Sequence, residues 1–288
     1  MTYLLPILFA LFVWWFSTGA IIYLDGLPVR TFKWSMLGAT AVCAAGFYGL
    51  WASAGETSAA GAYIAFASAL AVWAWHEISF YMGYVTGPRK HACVEGCSGW
   101  AHFGHALGVS LWHELAIVAS FVVVAAMTWG GANEVGLWTF VILWLMHESA
   151  RLNVFLGVRN LNAHFLPPHL AYLKSFLNSK PMNLLFPVSV TVSTTICVLL
   201  VVEAATAADG FGQAGFTFLA TIMTLAILEH WFLVLPIPAE TMWNWSMKSR
   251  EVVDNRATKA DRRVHASKWH DHSKDHSHAP VASLRSVH

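Results

Sequence analysis

The sequence predicts an all-α, polytopic membrane protein of about seven transmembrane helices, with a periplasmic N-terminus and a cytoplasmic C-terminus. Three observations predict it. The chain is 57 % hydrophobic and only 11 % charged, whereas soluble domains carry roughly 25 % charged residues. Its apolar residues gather in seven stretches, each close to the roughly 20 residues that a bilayer span needs. All 17 Lys and Arg fall on one side of a seven-span arrangement, as the excess of positive charge in cytoplasmic loops requires. The 15 Trp fit the same picture, because Trp concentrates at membrane interfaces. A formal net charge of +1 gives no reason to expect a nucleic-acid partner.

The spans are expected at roughly 4–24, 34–54, 62–82, 104–128, 136–156, 183–203 and 214–236. The first has no basic n-region and no small-residue cleavage site, so it is read as a retained helix. Arg30 and Lys33 lie between spans one and two, and Arg89 and Lys90 between three and four. Arg151, Arg159, Lys174 and Lys180 lie at or beyond the end of span five, and nine more basic residues follow from Lys248 to Arg285. The three opposite loops carry only acids: Glu56, Glu134, then Glu203 and Asp209. This alternation requires an odd number of spans.

Residues 1–247 form the membrane domain. Its longest connection, 150–182, is amphipathic and fits an interfacial helix, which the Pro167-Pro168 pair is expected to interrupt. Asn153, Asn160 and Asn162 are candidates to cap or cross-link it. Residues 248–288 are polar and His-rich, with too few bulky apolar side chains to support a core, and are read as a disordered tail.

One polar layer stands out. His76-Glu77, Trp112-His113-Glu114 and His147-Glu148 lie on spans three, four and five, and Glu229-His230 on span seven. With a rise of 1.5 Å per residue, all four pairs sit roughly 10–15 Å from the cytoplasmic ends of their spans. Ionisable residues inside a bilayer are costly and need a partner or a use. At about 100° per residue, His102 and His113 differ by only about 20° around span four, and His105 lies within about 80° of His113. These three histidines share a face, with Glu114 turned away. Three readings stay open: a tetrapyrrole site, with imidazole as an axial ligand; a metal site of mixed His and carboxylate, drawn from His76, Glu77, His113, Glu114, His147, Glu148, Glu229 and His230; and a hydrogen-bonded network that fixes helix packing, with Glu paired to His or to Arg151.

Familiar catalytic patterns are missing. No His-Glu pair is followed by His three residues on, and no Glu has His three residues later, so neither the zinc-protease helix nor the di-iron bundle signature occurs. His91, Cys93 and Cys97 cluster before span four. Three candidates fall one short of a structural zinc site, so the stretch is read as a loop with two free thiols. Cys43 and Cys197 lie in apolar segments as core filler.

Several long motifs carry a family resemblance. They include Trp75-His76-Glu77 through Val85-Thr86-Gly87-Pro88-Arg89, and Leu111-Trp112-His113-Glu114-Leu115-Ala116. Further along come Thr128-Trp129-Gly130-Gly131, Asn160-Leu161-Asn162, Leu166-Pro167-Pro168-His169-Leu170 and Leu228-Glu229-His230-Trp231-Phe232-Leu233. In these, over roughly residues 1–245, the chain resembles the PuhE-type photosynthetic complex assembly proteins of purple and related phototrophic bacteria. The resemblance implies a role in building the photosynthetic apparatus or tuning bacteriochlorophyll production, in the bacterial inner membrane and its intracytoplasmic extension. Implied partners are reaction-centre or antenna apoproteins, or pigment-synthesis enzymes, besides the lipid bilayer.

On that reading bacteriochlorophyll or a precursor occupies the His/Glu layer, with His113 or His76 as axial ligand. Glu77, Glu114 and Glu229 orient the imidazoles, and His102, His105 and His230 complete the cofactor-binding set. The alternative is a metal-dependent membrane oxidoreductase of tetrapyrrole biosynthesis, or a subunit of one, using iron, zinc or manganese.

Overall fold

Among the described residues, seven long helices follow in order: α1 Leu4–Asp25, α2 Phe32–Ser53, α3 Ala59–Tyr81, α4 Gly99–Thr128, α5 Val135–Leu156, α6 Leu185–Thr206 and α7 Gly210–Val234. A computed structural model describes residues 1–161, 163, 166–237 and 239–249. The sequence readings for Asn162 and for the tail from residue 250 onward lie outside the described residues. Among the described residues there is no strand beyond one isolated bridge, Val158 to Ser179.

Six of the helices are long and apolar enough to cross a membrane. The seventh, α5, is as long, but its second half carries His147, Glu148 and Arg151. It packs against α3, α4, α6 and α7, all of which meet the criteria for a span. The molecule is a polytopic helical membrane protein, and α5 is part of its bundle.

Burial sorts the helices into a centre and a rim. The most apolar windows of α3 and α7 are 56 % buried, against 11–28 % for those of α1, α2, α4 and α6. The rim helices turn Leu5, Leu8, Phe12, Val192, Leu199 and similar side chains outward. That surface suits hydrocarbon, where large contiguous apolar patches carry no penalty, unlike in water.

Because lipid gives helices no hydrophobic drive to associate, contact between them depends on close packing of small residues. Gly46 and Gly49 of α2 press on Ser68 of α3, and Gly136 of α5 presses on Leu50 and the Ala65 carbonyl. At the centre Phe66 stacks on Phe218 with ring centroids 4.4 Å apart.

Helix ends are capped by side chains. Ser58 accepts from Gly61 N–H at the start of α3, and Asp209 from Gly212 N–H at the start of α7. Such caps are each worth about 1 kcal/mol. At the acidic end Asn133 donates to the Glu56 and Gly61 carbonyls, tying the α4–α5 turn to the α2–α3 turn.

At the basic end Asn183 does the equivalent work. Its amide nitrogen donates to the Asn153 and Gly157 carbonyls, and its oxygen accepts from Leu185 and Phe186 N–H at the head of α6. Asn160 donates to the Phe232 carbonyl in the last turn of α7 and the Leu235 carbonyl just after it, and Asn153 donates to Ser189 Oγ of α6, so two of the three asparagines cross-link. The long loop holds a nine-residue 3-10 helix at Pro168–Phe176. Pro168 opens this helix and does not interrupt it, because its missing N–H is an orphan at a first-turn position anyway.

Helix α4 starts five residues before its expected boundary and runs for 30 residues, about 45 Å. Its first turns therefore extend past the roughly 30 Å hydrocarbon layer. The Thr86–Arg89 strap lies across it: Thr86 O accepts from His113 N–H, and Gly108 O accepts from Arg89 N–H. A Cβ on Gly87 would stand 2.2 Å from the Gly108 carbonyl oxygen. Backbone cannot yield there as a flexible side chain could.

We expect Gly87→Ala to lower the unfolding free energy by about 1–3 kcal/mol through overpacking. Gly104→Ala, where a Cβ meets nothing within 4 Å, should leave it unchanged or raise it by up to about 1 kcal/mol through helix propensity. Thermal unfolding in detergent checks the pair, and equal behaviour would refute the packed strap.

Candidate functional site

The polar layer surrounds a cavity of about 570 Å³ lined by residues of α1, α3, α4, α5, α7 and the long loop. Most of the lining is apolar, including Trp14, Leu70, Trp73, Phe103 and Phe155. Asp25, Glu77, His113, His147, Glu148, Arg151 and Glu229 supply the charged and imidazole groups of its wall. An apolar pocket of this size with a few convergent polar groups has the character of a small-molecule site.

Helix register decides which predicted residues reach the cavity. On α3, Glu77 does, while His76 turns to α4 and is fully buried. His76 Nε2 shares a hydrogen bond of 3.0 Å with Ser120 Oγ, and its ring packs 6.2 Å from His113. On α4, His113 faces the cavity, with its ring 4.8 Å from Phe80 and 5.9 Å from His147. Its Nδ1 has no hydrogen-bond partner among the described residues, and neither does His147 Nε2. His147 Nδ1 stands 3.5 Å from Glu77 Oε1. One ligand atom each from Glu77, His113 and His147 lies within 4.8 Å of the other two, a spacing that a single metal ion can bridge.

Arg151 neutralises the acids of α4 and α5. It pairs with Glu114 and lies 3.3 Å from Glu148 Oε1, while its other terminal nitrogen donates to Ser110 Oγ at 2.6 Å. Its side chain is 33 % exposed, but it lines the internal cavity. Glu114 is therefore an ion-pair partner and does not contact an imidazole. Glu229 lines the cavity and accepts from Trp14 Nε1 at 3.0 Å.

His230 points elsewhere. It is 1 % exposed, shares a hydrogen bond with Ser149 Oγ, and bonds the Ala226 carbonyl of its own helix. The layer is thus a shared depth on α3, α4 and α5, joined by Glu229 of α7. His230 is satisfied within the packing, whereas His76 is packed away from the cavity with its Nδ1 unpartnered among the described residues.

His102 and His105 form a separate cluster nearer the basic end. His102 Nδ1 is 3.4 Å from Cys93 Sγ, and His105 Nδ1 is 3.4 Å from Cys93 Sγ and 3.3 Å from Cys97 Sγ. The His102 ring is stacked between Phe155 and Phe176, with both centroids 5.3 Å away. His102 and His113 do share the α4 face turned toward α5, but 11 residues, or about 16 Å, separate them along the axis. Outside the spans, the Cys97 thiol is held above its ordinary pKa, first by its hydrogen bond to Cys93. Burial raises the Tyr172 phenol.

Sequence reasoning missed Ser110, Ser120, Ser149 and Trp14, the hydroxyl and indole partners of the layer. Their only signal is position: Ser110 stands one helical turn from Glu114, and nothing in the sequence pairs Trp14 with a residue 215 positions away.

A helical membrane bundle with a ligand-sized, polar-cored cavity is the class that fold and site define. Within it, the chain belongs to the DUF3623 family, whose description is "Protein of unknown function (DUF3623)" and which matches residues 1–254. The chain is 40 % identical over 247 residues to the "Uncharacterized 30.4 kDa protein in puhA 5'region" of Rhodobacter capsulatus, covering 84 % of this chain and 89 % of that one. No solved structure matches the chain.

The Arg151 cluster yields a stability prediction. Arg151→Met should leave Glu114 and Glu148 without their cation and cost about 2–4 kcal/mol, toward the lower part of the range for a broken buried pair because a third of the side chain faces the cavity. Arg151→Met with Glu114→Gln should recover at least about 1 kcal/mol of that loss. Additive losses in unfolding measurements would show that the pair is not coupled.

Proposed function

We propose that this protein is a membrane assembly factor for photosynthetic complexes that holds bacteriochlorophyll or a precursor in the cavity beside His113. The observation that carries this reading is His113 itself. It is 2 % exposed and its Nδ1 lacks a hydrogen-bond partner among the described residues, in the wall of a 570 Å³, mostly apolar cavity. An unpaired buried ring nitrogen is costly, and a ligand that accepts its lone pair removes the cost.

The relative's gene location, in the puhA 5' region, supports a place among photosynthesis genes. The orientation with N-terminus periplasmic and C-terminus cytoplasmic is supported by the basic residues gathered at one end. It puts the cavity toward the cytoplasmic side of the inner membrane, where pigment-synthesis enzymes or newly made apoproteins would dock.

The donor set suits a tetrapyrrole. His113 Nδ1 would hold the magnesium or iron of such a ring, which imidazole nitrogens bind. When bound, the pigment supplies a light-absorbing macrocycle for delivery. His76 does not reach the cavity; it supports His113 from behind through ring packing. Arg151 would donate to the ring's peripheral carbonyl or carboxylate groups. Trp73, Phe103 and Phe155 would give it an apolar, water-excluding wall.

One observation favours a second reading. The Glu77, His113 and His147 atoms, within 4.8 Å of one another, can hold iron, zinc or manganese, as a metal-dependent oxidoreductase would need.

The absorption spectrum and metal content of detergent-purified protein from a phototrophic host separate the two. Near-stoichiometric pigment, reduced at least tenfold in His113→Ala and retained in His230→Ala, is the expected result. Iron, zinc or manganese without pigment, lost in His113→Ala but kept in Cys93→Ser, would establish the metal reading. Normal amounts of reaction centre and antenna in cells carrying folded His113→Ala would refute the pigment role.

A further inference from the structure

We infer that Cys93, Cys97, His102 and His105 form a structural zinc site that clamps the α3–α4 loop onto the projecting start of α4. The inference goes beyond the pigment reading and is independent of it, since none of these four residues lines the cavity.

The ligand set is Cys-x3-Cys-x4-His-x2-His. The two cysteines come from the loop, and the two histidines lie one turn apart in the first turns of α4, where i and i+3 share a face. Three of the four donors, Cys93, Cys97 and His102, lie within 4.8 Å of one another. His105 Nδ1 meets both sulfurs, at 3.4 and 3.3 Å, and His102 Nδ1 meets Cys93 Sγ at 3.4 Å. Zn–S of about 2.3 Å and Zn–N of about 2.0–2.1 Å at a tetrahedral angle put sulfur and nitrogen ligands about 3.5 Å apart. The three observed sulfur–nitrogen spacings match that value; His105, outside the group of three, closes the sphere by a side-chain shift toward His102. Two soft thiolates with two imidazoles select zinc over magnesium or calcium.

The surroundings hold the ligands in place. Cys93 N–H donates to Ser175 Oγ in the 3-10 helix of the long loop, and Phe155 and Phe176 sandwich the His102 ring. Arg89, which starts the loop, is anchored through its N–H to Gly108. His91 is not a ligand, because its Nδ1 turns to the Ala92 carbonyl at 3.3 Å.

Four protein ligands close the coordination sphere, so the ion binds no substrate and its role is structural. Each thiol loses its proton to solvent as the ion binds. The consequence for the molecule is a fixed junction of three segments: the 89–98 loop, α4 and the 168–176 helix.

Cobalt(II) substitution in the full chain, purified under reductant, is the test. The His-rich tail contains no cysteine, so tail-bound cobalt gives no thiolate charge-transfer absorption. With one equivalent of Co²⁺ the full chain should show an intense near-ultraviolet charge-transfer band, displaced by equimolar Zn²⁺. The band should vanish in Cys93→Ser/Cys97→Ser and persist in Cys43→Ser/Cys197→Ser. In His102→Cys, which raises the thiolate count from two to three, it should grow by about half.

Zinc bound to the wild-type chain should exceed that in Cys93→Ser/Cys97→Ser by one equivalent. Should the serine variant fail to fold, the wild-type spectrum decides alone. A full chain with no charge-transfer band, or with Cys93 and Cys97 alkylated equally fast with and without Zn²⁺, would overturn the site.

Discussion

Everything near the cavity depends on how one cation is paired inside the bundle. Arg151 stands in the second half of α5, within contact of Glu114, Glu148 and Ser110. A guanidinium in hydrocarbon is expensive unless it is paired and hydrogen-bonded. Its acids come from α4 and α5, so the pairing fixes how those two helices are rotated against each other. That rotation in turn points His113 and His147 at the same space. The electrostatic constraint and the shape of the cavity are one feature seen twice.

Much of this was legible before any coordinates. Spans are long apolar runs, and such runs survive any ambiguity of packing, so every helix end but one fell within four residues of its expected limit. The start of α4 did not, because residues 99–103 are neither apolar enough to count as membrane nor polar enough to count as loop. The His/Glu layer was visible as a shared depth, since depth depends only on sequence position. Its division was not. A helical wheel gives the angle of His76 relative to Glu77 but not which neighbour each one meets, so it could not separate a cavity carboxylate from a packed imidazole. The same limit hid the histidines of the cysteine cluster: His91 is adjacent in sequence, whereas His102 and His105 are brought to the thiols by the reach of α4. Proline was misread for a related reason. It stops helices from within and starts them at their first turn, and the sequence does not say which position Pro168 holds.

The two ends of the bundle are built differently. At the acidic end the turns are short and are joined by one asparagine, Asn133. At the basic end the connections are long, and Asn153, Asn160 and Asn183 with the Thr86–Arg89 strap weave them together. The imidazoles, the Cys93 and Cys97 thiols and the cavity carboxylates lie in that half, where the chain has the most freedom to be shaped.

The last described residues return to the first helix. Trp243 donates to the Trp15 carbonyl across 228 positions of sequence, Trp245 covers Gly19, and Trp243 itself lines the cavity. A ribosome working at about 5–20 residues per second needs roughly 10–50 s to travel that distance. Throughout that interval α1 is already made and the wall it shares with Trp243 is missing. The compartment is therefore sealed last, after its other walls have been synthesised, and the nascent chain passes through a stage in which the His113 chamber lacks that side.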